Sequence, residues 1–369
     1  MLIENCKNLL YKRGPMVLAC CTSFALGALA TATFTKTTTA DANGPRTAAA
    51  GVRPVSFLSG LDSLPRAVEH VRVHVQAHVR AIRRKHDPKP TAPSRATISL
   101  YESTTAPRVF REQGCGAAKR GATGVVILDF GKPAYNGHSY GTILFSNRFA
   151  SNKQITRATQ AYANGYVRCL PKSSSAHITL ARGTSNYDPS VSSMDKAGRK
   201  WARETMNLAK YLRNHPAVAA RVTASAGIDA EPAWDRGFRR TYDFFPGFKD
   251  ARTGYLLYNF GSRDGGVGSI WSLKQAFYVA GGMKFARVVP EIYFRVQAHQ
   301  WAELARLAIR TYKRPVQFAG VLTQHWKGCN RRICGMTPRE AHSQLGKALK
   351  QHPATRTQVR MLAAVTNIG

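Results

Sequence analysis

From about residue 113 onward, short apolar runs alternate with longer segments whose apolar residues recur at helical spacing. Continuous apolar runs are typical of strands buried on both faces of a parallel sheet, and the longer segments are typical of helices that cover it. The strand candidates are residues 124–129, 177–181, 221–231, 254–260, 276–280, 288–293 and 317–323. The helix candidates include residues 152–168, 196–214, 298–312 and 338–352.

This alternation predicts an α/β fold, a (β/α)8 TIM-type barrel with some irregularity, over residues 113–369. The eighth strand is open, because either 142–145 or 362–366 can supply it. A doubly wound open sheet is the alternative architecture. It is less favoured because no GxGxxG or Walker loop follows a strand candidate.

The N-terminus has the pattern of an export signal. Lys7, Lys12 and Arg13 precede an uncharged apolar run over 16–32, and small-x-small cleavage candidates follow at 28–30, 30–32 and 40–42. We predict a secretory signal peptide over residues 1–42, and therefore a secreted or cell-envelope-associated protein. An uncleaved N-terminal anchor is the alternative, since the run is just long enough to span a membrane.

Residues 43–112 are predicted to be a flexible linker that contains a basic amphipathic helix over about 64–85. His70, His74 and His78 recur on one flank of this helix, but no acidic or cysteine partner is nearby. A solvated basic helix explains them more simply than a metal site does. We expect no metal and no cofactor.

Cysteine content agrees with export. Three of the seven cysteines precede residue 43, and four follow: Cys115, Cys169, Cys329 and Cys334. An even number in an exported chain indicates two disulfides. Cys329 and Cys334 bracket a short basic loop, so we predict that they pair locally and that Cys115 pairs with Cys169.

The chain is strongly basic, with 54 Lys and Arg against 20 Asp and Glu and a net charge of +34. Such a charge indicates an anionic partner. Export and the lack of a recognised nucleic-acid-binding module argue against specific nucleic-acid binding. The expected partner is therefore a cell-wall glycan or an anionic envelope polymer, with membrane contact only through an uncleaved N-terminal segment.

The few acidic residues are placed at predicted strand ends. Asp129 ends the first strand candidate, Asp229 and Glu231 end the third, and Glu291 lies in the sixth. Barrel active sites gather at the C-terminal ends of strands, and residues two apart on a strand share a face. Glycoside hydrolysis needs such a carboxylate pair. The structural alternative is that each carboxylate pairs with one of the many basic residues.

The resemblance to known proteins is carried by short motifs at residues 124–131, 226–234, 257–261, 290–293, 300–301 and 322–324 and by the final cysteine pair. Together they resemble secreted glycoside-hydrolase-like barrel proteins of actinobacteria, over roughly residues 113–360. They are more distantly similar to the lysozyme-type muramidases of glycoside hydrolase family 25. That resemblance implies that Glu231 donates the proton and that Asp229 and Asp129 orient the sugar or stabilise positive charge; Glu291 has no firm counterpart.

Aromatic side chains near the predicted strand ends are candidates for stacking on sugar rings, with core or loop packing as the alternative. The substrate-binding candidates are Trp234, Tyr258, Tyr293, Gln324 and Trp326.

Two other motifs lack the context that their chemistry needs. Residues 137–141 read GHSYG and fit GxSxG, but they follow a loop and precede a β-prone segment, unlike a nucleophile elbow. Residues 265–268 read GGVG without the Lys and Ser/Thr of a phosphate-binding loop. The sequence therefore favours a secreted, muramidase-like glycoside hydrolase that acts on peptidoglycan or a related cell-wall polysaccharide. A non-catalytic barrel that binds cell-wall or other anionic polymers is the alternative.

Overall fold

A computed structural model describes residues 95–251, 254–325, 335–362 and 364–368. The strands in these ranges are β1 (Arg95–Tyr101), β2 (Gly124–Asp129), β3 (Lys132–Tyr135), β4 (Tyr140–Ile143), β5 (Phe149–Ser151), β6 (Ile178–Ser185), β7 (Val222–Asp229), β8 (Leu257–Asn259), β9 (Ala286–Val288), β10 (Val321–Gln324) and β11 (Ala364–Ile368). The α-helices are α1 (Pro107–Lys119), α2 (Asn152–Cys169), α3 (Met194–Arg213), α4 (Pro216–Ala219), α5 (Arg239–Asp250), α6 (Leu273–Phe277), α7 (Arg295–Tyr312) and α8 (Pro338–Lys350).

Eight of the strands form one parallel sheet in the order β10-β11-β1-β2-β6-β7-β8-β9. The sheet is curled, and β9 and β10 are the two ends of its continuous ladder. Two isolated parallel bridges, Val288–Phe318 and Glu291–Leu322, connect the end of β9 and the chain after it with the region of β10. The expected α/β class and eight parallel strands are thus confirmed, whereas a continuous closed ladder is not observed.

The concave side of the sheet holds a cluster of apolar side chains that we call the inner cluster. Its members are Val125, Ile127, Ala181, Tyr258, Phe260, Val289, Leu322 and Ile368. Gly183 and Gly227 make room for the Phe260 ring, since a Cβ added at either position would lie 3.1 or 2.9 Å from it. The helices cover the convex side, where long apolar rows from α2 and α3 pack on β6 and β7.

Local signals set where several helices begin. Ser151 and Gln154 form a reciprocal capping box at α2, and Thr337 and Glu340 form another at α8. The predicted helices over 152–168, 196–214, 298–312 and 338–352 are all present, with small differences at their ends.

The predicted linker over 43–112 extends too far. Residues 95–101 form β1, which lies between β11 and β2 in the sheet, and α1 begins at Pro107. The polar residues Thr97 and Ser99 alternate along β1 and are buried on its inner side, so the strand lacks a continuous apolar run. The sheet therefore begins before residue 113.

Two further strand expectations are settled by the structure. The segment 276–280 is not a strand, because Ser272 and Gln275 form a capping box that starts α6, and a π-turn follows at Tyr278–Gly282. The eighth strand comes from the C-terminal candidate as β11, whereas Thr142 lies in a separate sheet.

That separate sheet is antiparallel, in the order β3-β4-β5, and it is inserted between β2 and α2. The GxSxG segment forms the β3–β4 turn, where the Asn136 Oδ1 atom accepts hydrogen bonds from the backbone amides of His138 and Ser139. Ser139 is half-buried, and strand β4 rather than a helix follows it. The segment is therefore a hairpin turn and not a nucleophile elbow.

The disulfide between Cys115 and Cys169 is present and joins α1 to α2. The predicted signal peptide over 1–42, the helix over 64–85, the Cys329–Cys334 pair and Trp326 lie outside the described residues. Within the described residues, no helix combines the length and the apolar character that crossing a membrane requires.

Candidate active site

Acidic residues meet at the edge of the sheet formed by the C-terminal ends of its strands. Asp129 is the last residue of β2, Asp229 is the last residue of β7, and Glu231 follows two positions later. Glu291 lies three residues beyond β9. All four side chains are buried, with exposed fractions of 2–7%.

Strand periodicity points these side chains into the curl of the sheet. Asp129 lies two residues after Ile127, and Glu291 lies two residues after Val289, both members of the inner cluster. Residues two apart in extended chain share a face. One carboxylate oxygen from each of Asp229, Glu231 and Glu291 lies within 4.8 Å of the other two. The structure thus brings these three predicted residues together.

Glu231 is held by hydrogen bonds to its backbone and its carboxylate. The Asn186 side chain donates to the Glu231 carbonyl at 3.0 Å and accepts from its amide at 3.1 Å. The backbone amide of Ser262 donates to Glu231 Oε1 at 3.3 Å. Asn186 follows β6 and Ser262 follows β8, so the two neighbouring strands fix the residue that follows β7.

The loops around the other acids are equally constrained. Asn259 Oδ1 accepts from the amides of Ala230 and Gly261, which ties the end of β7 to the end of β8. A Cβ on Gly261 would lie 2.8 Å from Asp229 Oδ1, so this position favours glycine. The Gly131 amide donates to Asp129 Oδ1 at 3.0 Å.

No described Lys or Arg forms an ion pair with any of the four site carboxylates. Burial therefore raises the pKa of Asp229 and of Glu231 well above the usual range, and the charge of Glu291 raises both further. Burial also raises the pKa of Glu291, while the Tyr293 hydroxyl and Glu231 oppose that rise. Burial raises the pKa of Asp129 to about 7, partly offset by the Gly131 amide.

These directions separate the roles of the carboxyls. Burial raises the pKa of Glu291 to about 8 despite the hydrogen bonds from Tyr293 and Glu231 that favour its carboxylate, and a charge on Glu291 makes ionisation of Glu231 and Asp229 more costly. A site with one ionised and one protonated carboxyl can supply both a base or nucleophile and an acid. The same three oxygens are also the ligand type that Mg²⁺ and Ca²⁺ prefer. The absence of a metal stays a prediction.

The substrate-binding candidates occupy different environments. Trp234 is half-buried in the 3-10 turn after β7, and its ring meets Tyr187 edge-on at 5.4 Å. Tyr293 is buried beside Glu291, and Gln324 is the buried last residue of β10. Tyr258 belongs to the inner cluster, so the packing alternative applies to it.

Several residues at this edge were missed by the sequence analysis. Tyr101, the last residue of β1, lies near Asp129, Asp229 and Glu291, whose charges together with burial raise its pKa well above the usual range. It was missed because it was assigned to the linker. Asn186 and Ser262 act through the backbone and the carboxylate of Glu231, and no motif marks them in the sequence.

No protein-family model matches the chain, and no curated protein matches it. A solved structure to which the chain is similar is a family 39 glycoside hydrolase from the gut symbiont Bacteroides cellulosilyticus WH2. The similarity has a TM-score of 0.35 and 12% sequence identity, and it covers 76% of this chain. The chain spans 58% of the length of that structure. The likeness to family 25 enzymes and to actinobacterial proteins remains a prediction from motifs.

Proposed function

We propose that this protein is a glycoside hydrolase that acts on peptidoglycan or a related cell-wall polysaccharide. The observation that carries the proposal is the convergence of Asp229, Glu231 and Glu291 within 4.8 Å at the C-terminal edge of the sheet. Protonation of a leaving oxygen and stabilisation of a developing cation need two carboxyls in opposite protonation states. A charge on Glu291 raises the pKa of Glu231, so ionisation of Glu291 favours a protonated Glu231 and hence such a pair.

In the proposed reaction the protonated Glu231 gives its proton to the glycosidic oxygen while the bond from that oxygen to the anomeric carbon breaks. The Glu291 carboxylate forms a bond to the anomeric carbon. Water then attacks that carbon and releases Glu291, and Glu231 takes the proton from the water. Asp229 and Asp129 orient the sugar or stabilise positive charge.

The spacing of the carboxylates supports this division of labour. Retaining glycosidases hold their two carboxyl groups about 5 Å apart, whereas inverting enzymes leave about 6.5–9.5 Å for a water. One oxygen from each of Asp229, Glu231 and Glu291 lies within 4.8 Å of the other two, which is closer than the water of an inverting enzyme requires. This spacing favours a retaining mechanism, and we assign Glu291 as its nucleophile because hydrogen bonds from Tyr293 and Glu231 favour its carboxylate.

The test is sugar release from purified cell walls by the full chain. We expect Glu231→Gln to lower the rate about 100-fold or more while wall binding persists, because glutamine keeps the shape but cannot donate the proton. Glu303→Gln, an exposed change on α7, is the matched control and should retain activity. If Glu231→Gln retains wild-type activity, the assignment of the acid is wrong.

A non-catalytic barrel that binds wall glycans or anionic envelope polymers is the second candidate. The nearly complete burial of all four carboxylates and the net charge of +34 favour it. It predicts that the wild-type protein binds walls, loses that binding as salt rises, and releases no sugar. Release of sugar by the wild-type protein and loss of release in Glu231→Gln would exclude it.

A further inference from the structure

A buried arginine lies beside the candidate active site without a direct ion pair to any described carboxylate. Arg263 lies in the loop after β8 and is 1% exposed. Its Nε and Nη1 atoms have no hydrogen-bond partner, and its Nη2 atom makes one long hydrogen bond, 3.4 Å, to the carbonyl of Gly266. A buried guanidinium with unmet donors is costly unless something accepts from it.

Burial lowers the pKa of Arg263 to about 10, and the charge of Asp264 opposes this, but neither Asp264 nor Asp235 forms an ion pair with Arg263. The two oxygens of Asp264 accept from the Ser262 hydroxyl at 2.7 Å and from the Ala233 amide at 3.0 Å. Asp235 Oδ2 accepts from both the amide and the hydroxyl of Thr241. Among the described residues, no carboxylate lies within ion-pair distance of Arg263.

The aromatic neighbours add another donor. The Arg263 guanidinium carbon lies 6.0 Å from the centre of the Trp271 ring and 5.9 Å from the centre of the Trp301 ring. The Trp271 indole donates to the Asp235 carbonyl at 2.7 Å. The fully buried Trp301 Nε1 atom has no partner. Arg263 Nε, Arg263 Nη1 and Trp301 Nε1 therefore all require an acceptor.

The glycine-rich segment at 265–268 shapes this place. Gly265 and Gly266 have φ values of 74° and 84°, and the Gly266 amide donates to the Arg263 carbonyl at 2.8 Å. This turn directs the Gly266 carbonyl back to the guanidinium. The segment lacks the lysine of a phosphate-binding loop, but its Gly266 carbonyl contacts the positively charged guanidinium of Arg263.

We propose that Arg263 and Trp301 bind a halide-sized monovalent anion. A small ion fits the observations because Arg263 is 1% exposed and Trp301 is fully buried, which leaves no route for a carboxylate attached to a polymer. The anion accepts from the three unmet donors and balances the buried charge. Its readout is the stability of the folded chain and not hydrolysis, so it stands or falls independently of the proposed reaction.

The test compares thermal unfolding of the full chain in chloride, bromide, acetate and gluconate salts at equal ionic strength. We expect chloride and bromide to raise Tm by about 3 °C over gluconate, because ligands that bind only the folded state stabilise it. A rise in acetate instead would identify a carboxylate as the ligand and overturn the halide assignment. Equal Tm values in all four salts would overturn the site.

Two variants and a control make the assignment specific. Arg263→Met should abolish the halide dependence, and Trp301→Phe should weaken it while the ring remains. Arg182→Met is the matched control, because Arg182 is also fully buried against a tryptophan, but its Nη atoms donate to Thr156 and Asn152 and only its Nε atom lacks a partner. The Arg182→Met variant should have a lower Tm that still depends on halide. Loss of the halide dependence in this variant would contradict the proposal.

A bromide-soaked crystal gives a direct readout that does not depend on the stability of any variant. We expect an anomalous peak beside Arg263 Nη1 and Trp301 Nε1. Absence of that peak at a bromide concentration that raises Tm would overturn the site.

Discussion

Asn186 holds the backbone of Glu231 from both sides, with its side-chain amide donating to the Glu231 carbonyl and its side-chain oxygen accepting from the Glu231 amide. Asn186 also donates to the Thr241 hydroxyl at 2.9 Å, and Thr241 is bound by Asp235. The position of the proposed acid is thus linked to α5 through a buried polar network. Such networks hold reacting groups in a fixed orientation when every polar group in them has a hydrogen-bond partner.

Asn186→Asp should misplace Glu231 without removing it. The aspartate has no N–H to donate to the Glu231 carbonyl and brings a negative charge toward it. We expect kcat for wall hydrolysis to fall about 10–100-fold with KM nearly unchanged, because small displacements of a catalytic group have large effects on rate. Asn164→Asp on α2, where Asn164 accepts from the Tyr211 hydroxyl, is the control. An equal loss in both variants would indicate a general folding effect.

The stereochemistry of the product tests the role of Glu291. A nucleophilic Glu291 requires two displacements at the anomeric carbon, so the first product formed should keep the anomeric configuration of the substrate. Proton NMR of early reaction mixtures with a soluble wall oligosaccharide measures this directly. Inversion would show that no covalent intermediate forms on Glu291.

Strands that are buried along their whole length could be predicted from the sequence. β2 and β7 are buried over nearly their whole lengths, so their apolar runs are visible and their C-terminal acids could be placed. β1 was missed because its inward side chains include the polar residues Thr97 and Ser99, the latter accepting from the Ile127 amide. β1 is stabilised by its pairing with β2 and β11, and such contacts between distant segments are not visible in a local sequence pattern.

The same limit applies to the site. Asp229 and Glu231 share a strand face by simple periodicity, so their proximity was predictable. The approach of Glu291 depends on the curl of the whole sheet, and the support from Asn186 depends on a neighbouring strand far away in the sequence. No local sequence pattern indicates that Arg263 is buried with unmet donors or that Tyr101 lies beside the site carboxylates.

A truncation series tests where the folded unit begins. A chain that starts at residue 113 lacks β1, which pairs with both β2 and β11 in the middle of the sheet. We expect it to unfold without cooperativity, whereas a chain that starts at Lys89, a few residues before β1, should unfold cooperatively. Thermal melts by circular dichroism distinguish the two outcomes. Cooperative unfolding of the shorter chain would make β1 dispensable.

Loss of the disulfide should destabilise the folded state. Cys115 and Cys169 are 54 residues apart, and in the chain-entropy treatment a loop of that length contributes about 4 kcal/mol. We expect the double serine variant to lose stability of this order in urea unfolding, with the slope changed because its unfolded state is less compact. A variant as stable as the wild type would show that constraint of the unfolded chain contributes little here.

The burial of Asp129 predicts an unusual pH dependence. Its pKa rises from 3.8 to about 7 in the folded protein, so between about pH 4 and 7 the folded state holds a proton that the unfolded state releases. The free energy of unfolding should therefore fall as pH rises through this window, by at most about 4 kcal/mol from this group. Asp129→Asn removes the ionisable group and should flatten the fall.

Two further variants separate this effect from other carboxyls. Burial raises the pKa of Glu102 to about 7 as well, so Glu102→Gln should also reduce the decrease in the free energy of unfolding between pH 4 and 7. Asp188 is exposed and pairs with Lys132. Asp188→Asn should leave the pH dependence of the free energy of unfolding unchanged, because an exposed carboxylate stays hydrated in the folded state. Urea unfolding at closely spaced pH values measures all four proteins. If Asp129→Asn and the wild type lose stability in parallel between pH 4 and 7, Asp129 is ionised in the folded state and its carboxylate has a compensating partner.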